Sequence, residues 1–183
     1  MDSQQSILNS QEIIDKDLAH VWHPIINHYN LKKDPLKIMT QASGCTIIDS
    51  EGKEYLDAMA GLWCVNIGYG RKEIADAVYE QMSELSYYPL SQINPQSAKL
   101  AAKISDITPK NLQHVWFVNS GSEAVDTAIK ISRAWGKRNG GRFKIIARYQ
   151  GYHGATLGGV SLTGQTLRRL DFEPLLPGVV HVQ

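Results

Sequence analysis

The order of segments between residues 115 and 147 limits the possible folds of this chain more than any other feature. Val115–Val118 is a short apolar run that predicts a strand, and Asn119–Ser122 is a polar turn that contains glycine. Glu123–Lys137 has a helical pattern, whose apolar positions at i, i+4, i+7 and i+11 are Ala124, Ala128, Ile131 and Trp135. Asn139-Gly140-Gly141 ends that helix, and Phe143–Ala147 predicts a second strand. Because strand, helix, strand is the order of a βαβ unit, we predict an α/β fold with a parallel sheet and a right-handed crossover.

The rest of the chain predicts a smaller mixed lobe ahead of this sheet. Its predicted elements are a helix over Gln11–Trp22, a hairpin of Cys45–Asp49 and Glu54–Asp57 with its turn at Ser50–Gly52, and helices over Lys72–Leu85 and Gln96–Ile107. Val179–Gln183, at the end of the chain, predicts another strand after the βαβ unit. His23-Pro24 ends the first helix, and Pro95 opens the last one at a position that proline tolerates. We predict that residues 1–70 form an N-terminal segment with the small-lobe hairpin, and that residues 71–183 form the first part of a larger domain.

The composition is that of an ordinary globular chain. Of the 183 residues 43% are apolar and 20% are charged, and 19 basic against 18 acidic residues give a net charge of +1. This balance gives no electrostatic reason to expect a nucleic acid or an anionic membrane as partner. Because Met1–Ser10 lacks the pattern of a secretory signal and no apolar stretch approaches the roughly 20 residues of a bilayer span, we expect a cytoplasmic protein. Cys45 and Cys64 lack a CxxC spacing, and no carboxylate completes a ligand set with His20 and His23, so no metal site is predicted.

The turn before the long helix is a candidate anion site. Free N–H groups and the positive end of the helix dipole meet where a strand passes into a helix. Gly121 lets the backbone approach an anion, and the hydroxyls of Ser120 and Ser122 can donate further hydrogen bonds. An alternative is a plain capping box formed by Ser120 and Glu123. Neither GxxxxGK[ST] nor GxGxxG occurs here, which disfavours a nucleotide as the ligand.

A second loop, Gln150–Gly154, follows the next predicted strand. Ligands of open α/β sheets bind beyond the carboxyl ends of the strands, so this loop and the Ser120 turn are expected at the same edge. Tyr152 and His153, flanked by glycines, offer a flat aromatic surface beside a phosphate site. The two loops together suit a planar, phosphorylated cofactor, although Tyr152 could also simply cover the end of the sheet.

Four sequence blocks resemble the class III (ω-) aminotransferases, which are pyridoxal 5'-phosphate (PLP) enzymes of fold type I. The blocks are Asp57–Asn66, Gly68–Arg71, Asn119–Ala124 and Gly151–Gly154, and they occur in the order and spacing of that family. The resemblance runs from about residue 20 to residue 183. It implies the aspartate-aminotransferase-like fold, in which a small N-terminal α+β lobe precedes the start of a large parallel-sheet domain.

The resemblance also implies roles for individual residues. Ser120, Gly121 and Ser122 match the turn that holds the cofactor phosphate, Tyr152 matches the aromatic residue stacked on the pyridine ring, and His153 is its usual neighbour. Leu62 and Trp63 match residues that line the substrate pocket in the branch that transfers amino groups from amines and ω-amino acids to pyruvate. Relatives form homodimers, so a second copy of the chain is an implied partner.

Two departures from the family pattern bear on the amino donor. Ile25 replaces an aromatic pocket residue of some relatives, and Tyr87–Ser91 is more polar than in relatives that accept aryl amines. Both favour a small ω-amino acid or a taurine-like donor, with pyruvate or a similar keto acid as acceptor.

The family's catalytic lysine, and the aspartate that pairs with the pyridine nitrogen, are expected beyond residue 183. Lys130 lies inside the long predicted helix and Lys144 at the start of a strand, so neither is placed to replace that lysine. We therefore assign no catalytic residue and interpret the chain as the N-terminal part of a longer aminotransferase. Two alternatives are another PLP reaction, such as that of an aminomutase, and a non-catalytic module that binds a phosphate ligand or a subunit.

Overall fold

The computed structural model describes residues 10–183. The absence of a secretory signal was predicted from Met1–Ser10, and all of this segment except Ser10 lies outside the described residues. In chain order the elements are α1 (Ser10–His20), α2 (His28–Leu31), β1 (Met39–Ser43), β2 (Thr46–Asp49), β3 (Glu54–Leu56), α3 (Ala60–Trp63), α4 (Lys72–Leu85), α5 (Pro95–Ile107), α6 (Gly121–Arg138), β4 (Ile145–Arg148), α7 (Leu157–Leu162) and β5 (Val179–Val182), with two short 3-10 turns between α7 and β5. The chain forms two compact units, of which the first ends at Pro89 and the second is Leu90–Gln183. The predicted domain boundary after residue 70 stays a prediction.

The first unit is built on a three-stranded antiparallel sheet in the order β1-β2-β3. The predicted hairpin is confirmed as β2 and β3, with Ile47 paired to Tyr55. β1 was not predicted because Met39–Ser43 has little apolar alternation, and its pairing with β2 defines it as a strand. The predicted helices of this unit are confirmed as α1 and α4.

The carboxylate of Asp49 stabilises the turn of this hairpin. Its Oδ1 accepts from the backbone N–H groups of Glu51 and Lys53, both at 3.0 Å, and its Oδ2 accepts from the Tyr55 hydroxyl at 2.8 Å. Asp49 is only 4% exposed, and its hydrogen bonds compensate for that burial. The phenol of Tyr55, followed by the two N–H groups, lowers the pKa of Asp49 against the opposing effect of burial.

This lowered pKa predicts how the hairpin responds to acid. Ionised Asp49 stabilises the fold above its ordinary pKa of 3.8, and that contribution is lost as the pH falls through the lower folded pKa. Tyr55→Phe removes the largest cause and should shift the pKa of Asp49 back up. A carbon NMR titration of the Asp49 carboxyl in both proteins measures this; equal pKa values would contradict the assigned cause.

The second unit contains the predicted parallel sheet, but with a different pair of strands. β4 pairs with β5 in parallel, with Ile145 opposite Val179. The strands predicted at Phe143–Ala147 and Val179–Gln183 are thus confirmed as β4 and β5. Val115–Val118 is not a strand, because no segment of residues 10–183 pairs with it, and strand formation depends on a hydrogen-bonded neighbour. The observed parallel crossover therefore runs from β4 through α7 to β5. The helices predicted in this unit are confirmed as α5 and α6.

The core of the second unit lies between α6, α7 and the parallel strands. Ile129 of α6, Ala147 of β4 and Leu162 of α7 are buried together. Ile131 and Trp135, whose spacing suggested the apolar face of α6, are instead 54% and 60% exposed. Val125 and Ile129 form the packed face, which is rotated from the expected one. No helix within residues 10–183 is long and apolar enough to cross a membrane.

Candidate active site

Ser120 caps the N-terminus of α6. Its Oγ accepts from the N–H of Glu123 at 3.2 Å, and its backbone is extended, as expected of a cap. The predicted capping box forms only in part, because Glu123 Oε2 accepts from the N–H of Asn119 at 2.8 Å and not from that of Ser120. A capped helix of 18 residues therefore begins at the predicted phosphate turn.

This turn keeps four hydrogen-bond donors available to a ligand. Within the described part of the chain, the N–H groups of Gly121 and Ser122 have no acceptor. The hydroxyls of Ser120 and Ser122 act as acceptors, to Glu123 and Ala155, so each can still donate its proton. The space where a Gly121 Cβ would lie is open to 4 Å. Four donors at the positive end of a long helix fit the oxygens of a phosphate monoester.

The loop after β4 is joined to this turn, as predicted. Ala155 donates its N–H to Ser122 Oγ at 3.0 Å, and the Thr156 hydroxyl donates to Asp126 Oδ1 at 2.9 Å. Ser122 and Asp126 lie one turn apart on the same face of α6, so the helix fixes the loop at two points. Gly154 is buried against Ser122, since a Cβ there would lie 2.4 Å from Ser122 Oγ.

Thr156 also caps α7, because its Oγ1 accepts from the N–H of Gly159 at 3.2 Å. We expect Thr156→Val, which keeps the side-chain shape, to lower the free energy of unfolding by about 2 kcal/mol, since it removes a cap and a hydrogen bond to a carboxylate. Thr156→Ser keeps the hydroxyl and should cost much less. Urea unfolding of both variants measures the difference, and equal losses would contradict this role of the hydroxyl.

The two aromatic residues of the loop have different environments. Tyr152 is 56% exposed, and the Arg168 guanidinium lies over its ring at 5.3 Å from the centroid. His153 is half-buried, and its backbone N–H donates to Thr163 Oγ1 at 3.0 Å. Thr163 is fully buried and anchors this part of the loop. Tyr152 is thus the residue of the loop with a ring accessible to a ligand.

Leu62 and Trp63 lie in the first unit, on an unusual backbone. Ala60, Gly61, Leu62 and Trp63 have φ values of 49°, 56°, 57° and 71°, so α3 is a single left-handed helical turn. Left-handed geometry costs a residue with a Cβ roughly 1–2 kcal/mol, and three of these four residues have one. The turn leaves Leu62 59% and Trp63 81% exposed. This conformation was not predicted from the sequence.

Asp57 holds this turn from one side. Its Oδ2 accepts from the N–H of Gly61 at 2.6 Å and from the Tyr69 hydroxyl at 2.8 Å, and its Oδ1 accepts from the N–H of Met59 at 3.1 Å. The hydrogen bond from the Tyr69 hydroxyl, followed by that from the Gly61 N–H, lowers the pKa of Asp57. The bond between Tyr69 and Asp57 in turn raises the pKa of the Tyr69 phenol. Asp57 is therefore an ionised acceptor for three donors.

Neither Lys130 nor Lys144 belongs to the Ser120–Ser122 turn or to the loop after β4. Both are exposed, Lys130 within α6 and Lys144 just before β4. His23 Nε2 lies 2.7 Å from Asp17 Oδ2, which supplies the neighbouring carboxylate that the sequence analysis did not identify. Even so, residues 10–183 contain no group of three or more histidine, cysteine or acidic residues arranged to hold a metal ion.

Comparison with known proteins gives the class. The family model of class-III aminotransferases matches residues 28–183, and the chain therefore belongs to that family. It is 45% identical to an uncharacterized aminotransferase of Bacillus subtilis, over 99% of this chain and 40% of the relative. It is 40% identical to the putrescine–pyruvate aminotransferase of Pseudomonas aeruginosa, over 100% of this chain and 41% of the relative.

Solved structures confirm the predicted fold class. A thermostable (S)-enantioselective omega-transaminase from Thermomicrobium roseum matches with a TM-score of 0.91 and 39% identity, over 95% of this chain and 40% of that one. An omega transaminase from Pseudomonas jessenii in complex with PMP matches with a TM-score of 0.86 and 34% identity, over 93% of this chain and 38% of that one. The chain spans about 40% of the length of the curated relatives it matches.

Proposed function

We propose that this chain is the N-terminal part of a PLP-dependent aminotransferase that transfers an amino group from an amine or ω-amino acid to pyruvate or a similar keto acid. The observation that carries the proposal is the Ser120–Ser122 turn, whose four available donors at the start of α6 are joined to the aromatic loop by the bond from Ala155 to Ser122. Membership of the class-III family supports PLP as the phosphorylated ligand. The chemistry of the donors fits that group.

In this proposal each element of the chain has a separate task. Ser120, Gly121 and Ser122 bind the phosphate and so fix the position of the cofactor. Tyr152 stacks on the cofactor ring, and His153, held by Thr163, sets the path of the loop. When bound, PLP withdraws electrons from the carbon that carries the amino group.

Leu62 and Trp63 bind the amino donor in this proposal. Their exposure on the left-handed turn supports a role in contact with a ligand rather than in a core. A small ω-amino acid, a taurine-like compound or a diamine is the proposed donor, and the putrescine–pyruvate relative supports that range. A homodimer in the cytoplasm remains our prediction.

The test starts from the natural transcript, read past the codon for Gln183. The complete gene product is incubated with pyruvate and with putrescine, β-alanine or taurine that carries labelled nitrogen. We expect labelled alanine, dependent on added PLP. Failure to label alanine with every donor would contradict transamination. PLP binding without transfer would favour the aminomutase alternative or the non-catalytic module.

A further inference from the structure

The left-handed turn at Ala60–Trp63 requires an explanation. A run of residues with positive φ persists only when the surrounding structure holds it, and such strain concentrates at functional sites. Here the strained residues include Leu62 and Trp63, the pair proposed to bind the amino donor. The groups that hold the turn therefore affect where these two side chains are placed.

Both ends of the segment are fixed at the turn between β1 and β2. The N–H of Asp57 donates to the carbonyl of Cys45 at 2.8 Å. Tyr69 and Gly44 exchange two backbone hydrogen bonds, at 2.8 and 3.1 Å. Because Gly44 and Cys45 are adjacent residues of this turn, Asp57 and Tyr69 are anchored at neighbouring points of the hairpin formed by β1 and β2. Their side chains then meet at 2.8 Å across the base of the turn.

Inside the turn, Gly61 is the point of contact with these anchors. Its N–H donates to the Asp57 carboxylate, which also accepts the Tyr69 hydroxyl. A Cβ on Gly61 would lie 2.9 Å from the Tyr69 hydroxyl oxygen and 2.8 Å from a methyl carbon of Val65, so glycine is required for this close approach. Leu62 and Trp63 follow Gly61 directly in the chain, and their side chains are exposed.

We propose that Asp57 and Tyr69 are positioning residues, which hold the left-handed turn at Ala60–Trp63 and thereby place Leu62 and Trp63 for recognition of the amino donor. This inference rests on the proposed function, in which Leu62 and Trp63 bind the amino donor. Asp57 and Tyr69 act through the backbone of the turn. Their loss should therefore affect donor binding more than the chemical step or the binding of the cofactor.

Tyr69→Phe in the complete gene product is the main test. The variant removes one hydroxyl that donates to a carboxylate, so the KM of the fastest of the three donors, putrescine, β-alanine or taurine, should rise roughly tenfold. We expect kcat and PLP affinity to stay within about twofold. Tyr55→Phe is the matched control, since it removes a phenol–carboxylate bond of the same 2.8 Å length in the hairpin and should leave the donor KM unchanged.

Ala60→Gly separates positioning of the turn from a direct role of Tyr69. Ala60 has φ 49°, and glycine adopts this conformation without the penalty of a Cβ. Adding Ala60→Gly to Tyr69→Phe should therefore restore most of the donor KM. The double variant also carries the test if Tyr69→Phe alone does not fold, because relief of the strain should then recover the folded protein.

The outcomes are distinguishable. An unchanged donor KM in an active Tyr69→Phe variant would overturn the positioning role and leave the proposed function intact. A double variant that is no better than Tyr69→Phe, in KM or in folding, would also overturn it. A wild-type protein that labels no alanine would overturn the proposed function itself.

Discussion

Ser120→Asp is expected to weaken PLP binding by more than tenfold relative to Ser120→Asn, in the complete gene product. Both substitutions keep a good helix cap, so α6 should begin normally in each. Only aspartate brings a negative charge to the turn. Repulsion between one carboxylate and a phosphate dianion about 5 Å apart amounts to roughly 1.7 kcal/mol even at the dielectric constant of water, and to more in a partly buried site.

Pyridoxal, which lacks the phosphate, is the control ligand for this comparison. It should bind the two Ser120 variants with similar affinity, because neither variant alters the proposed ring contacts. Fluorescence titration with both ligands gives the four dissociation constants. Equal PLP affinities in the aspartate and asparagine variants would show that the phosphate does not bind at Ser120.

Gly154→Ala is expected to lower the free energy of unfolding by about 3 kcal/mol and to weaken PLP binding at the same time. The new Cβ would lie 2.4 Å from Ser122 Oγ and 3.0 Å from Ser122 Cα, and φ at Gly154 is +123°. Overpacking and backbone strain each cost roughly 1–3 kcal/mol. The clash should also displace the hydroxyl of Ser122, one of the four proposed phosphate donors.

Gly141→Ala is the matched control, because Gly141 also has positive φ, at +71°, but has open space around the position of a Cβ. It should cost roughly 1–2 kcal/mol through the backbone alone and leave PLP affinity unchanged. Urea unfolding with and without PLP measures both effects. Equal losses in the two variants would mean that contact with Ser122 is unimportant.

The sequence predicted the elements that depend on local pattern. The bounds predicted for the helix Lys72–Leu85 coincide with those of α4, because apolar residues recur there with helical spacing. Helix α7 was not predicted, because Gly158 and Gly159 weaken the helical pattern of this segment. Glycine is nevertheless required at position 158, since a side chain there would clash with Asp126. The prediction of a strand at Val115–Val118 was wrong, because strand formation depends on a pairing partner elsewhere in the chain.

The candidate site was predictable to a similar extent. The approach of the two loops was predicted from strands before both of them, and the bond from Ala155 to Ser122 confirms the approach although Val115–Val118 is not a strand. Asp126 and Thr156, which lie 30 residues apart in the chain, carry no local sign of their hydrogen bond. The left-handed conformation of Leu62 and Trp63 was also beyond the sequence, because such residues avoid positive φ unless their surroundings impose it.

Phosphorus NMR of the complete gene product with bound PLP tests most directly whether the turn at Ser120–Ser122 binds the phosphate of PLP. The dianion of a free phosphate monoester takes up one proton at about pH 6, which is its ordinary second pKa. Four donors and the helix dipole favour the dianion, so the bound signal should stay constant from roughly pH 5 to pH 8. A bound signal that titrates like free PLP would place the phosphate in solvent and contradict the assignment.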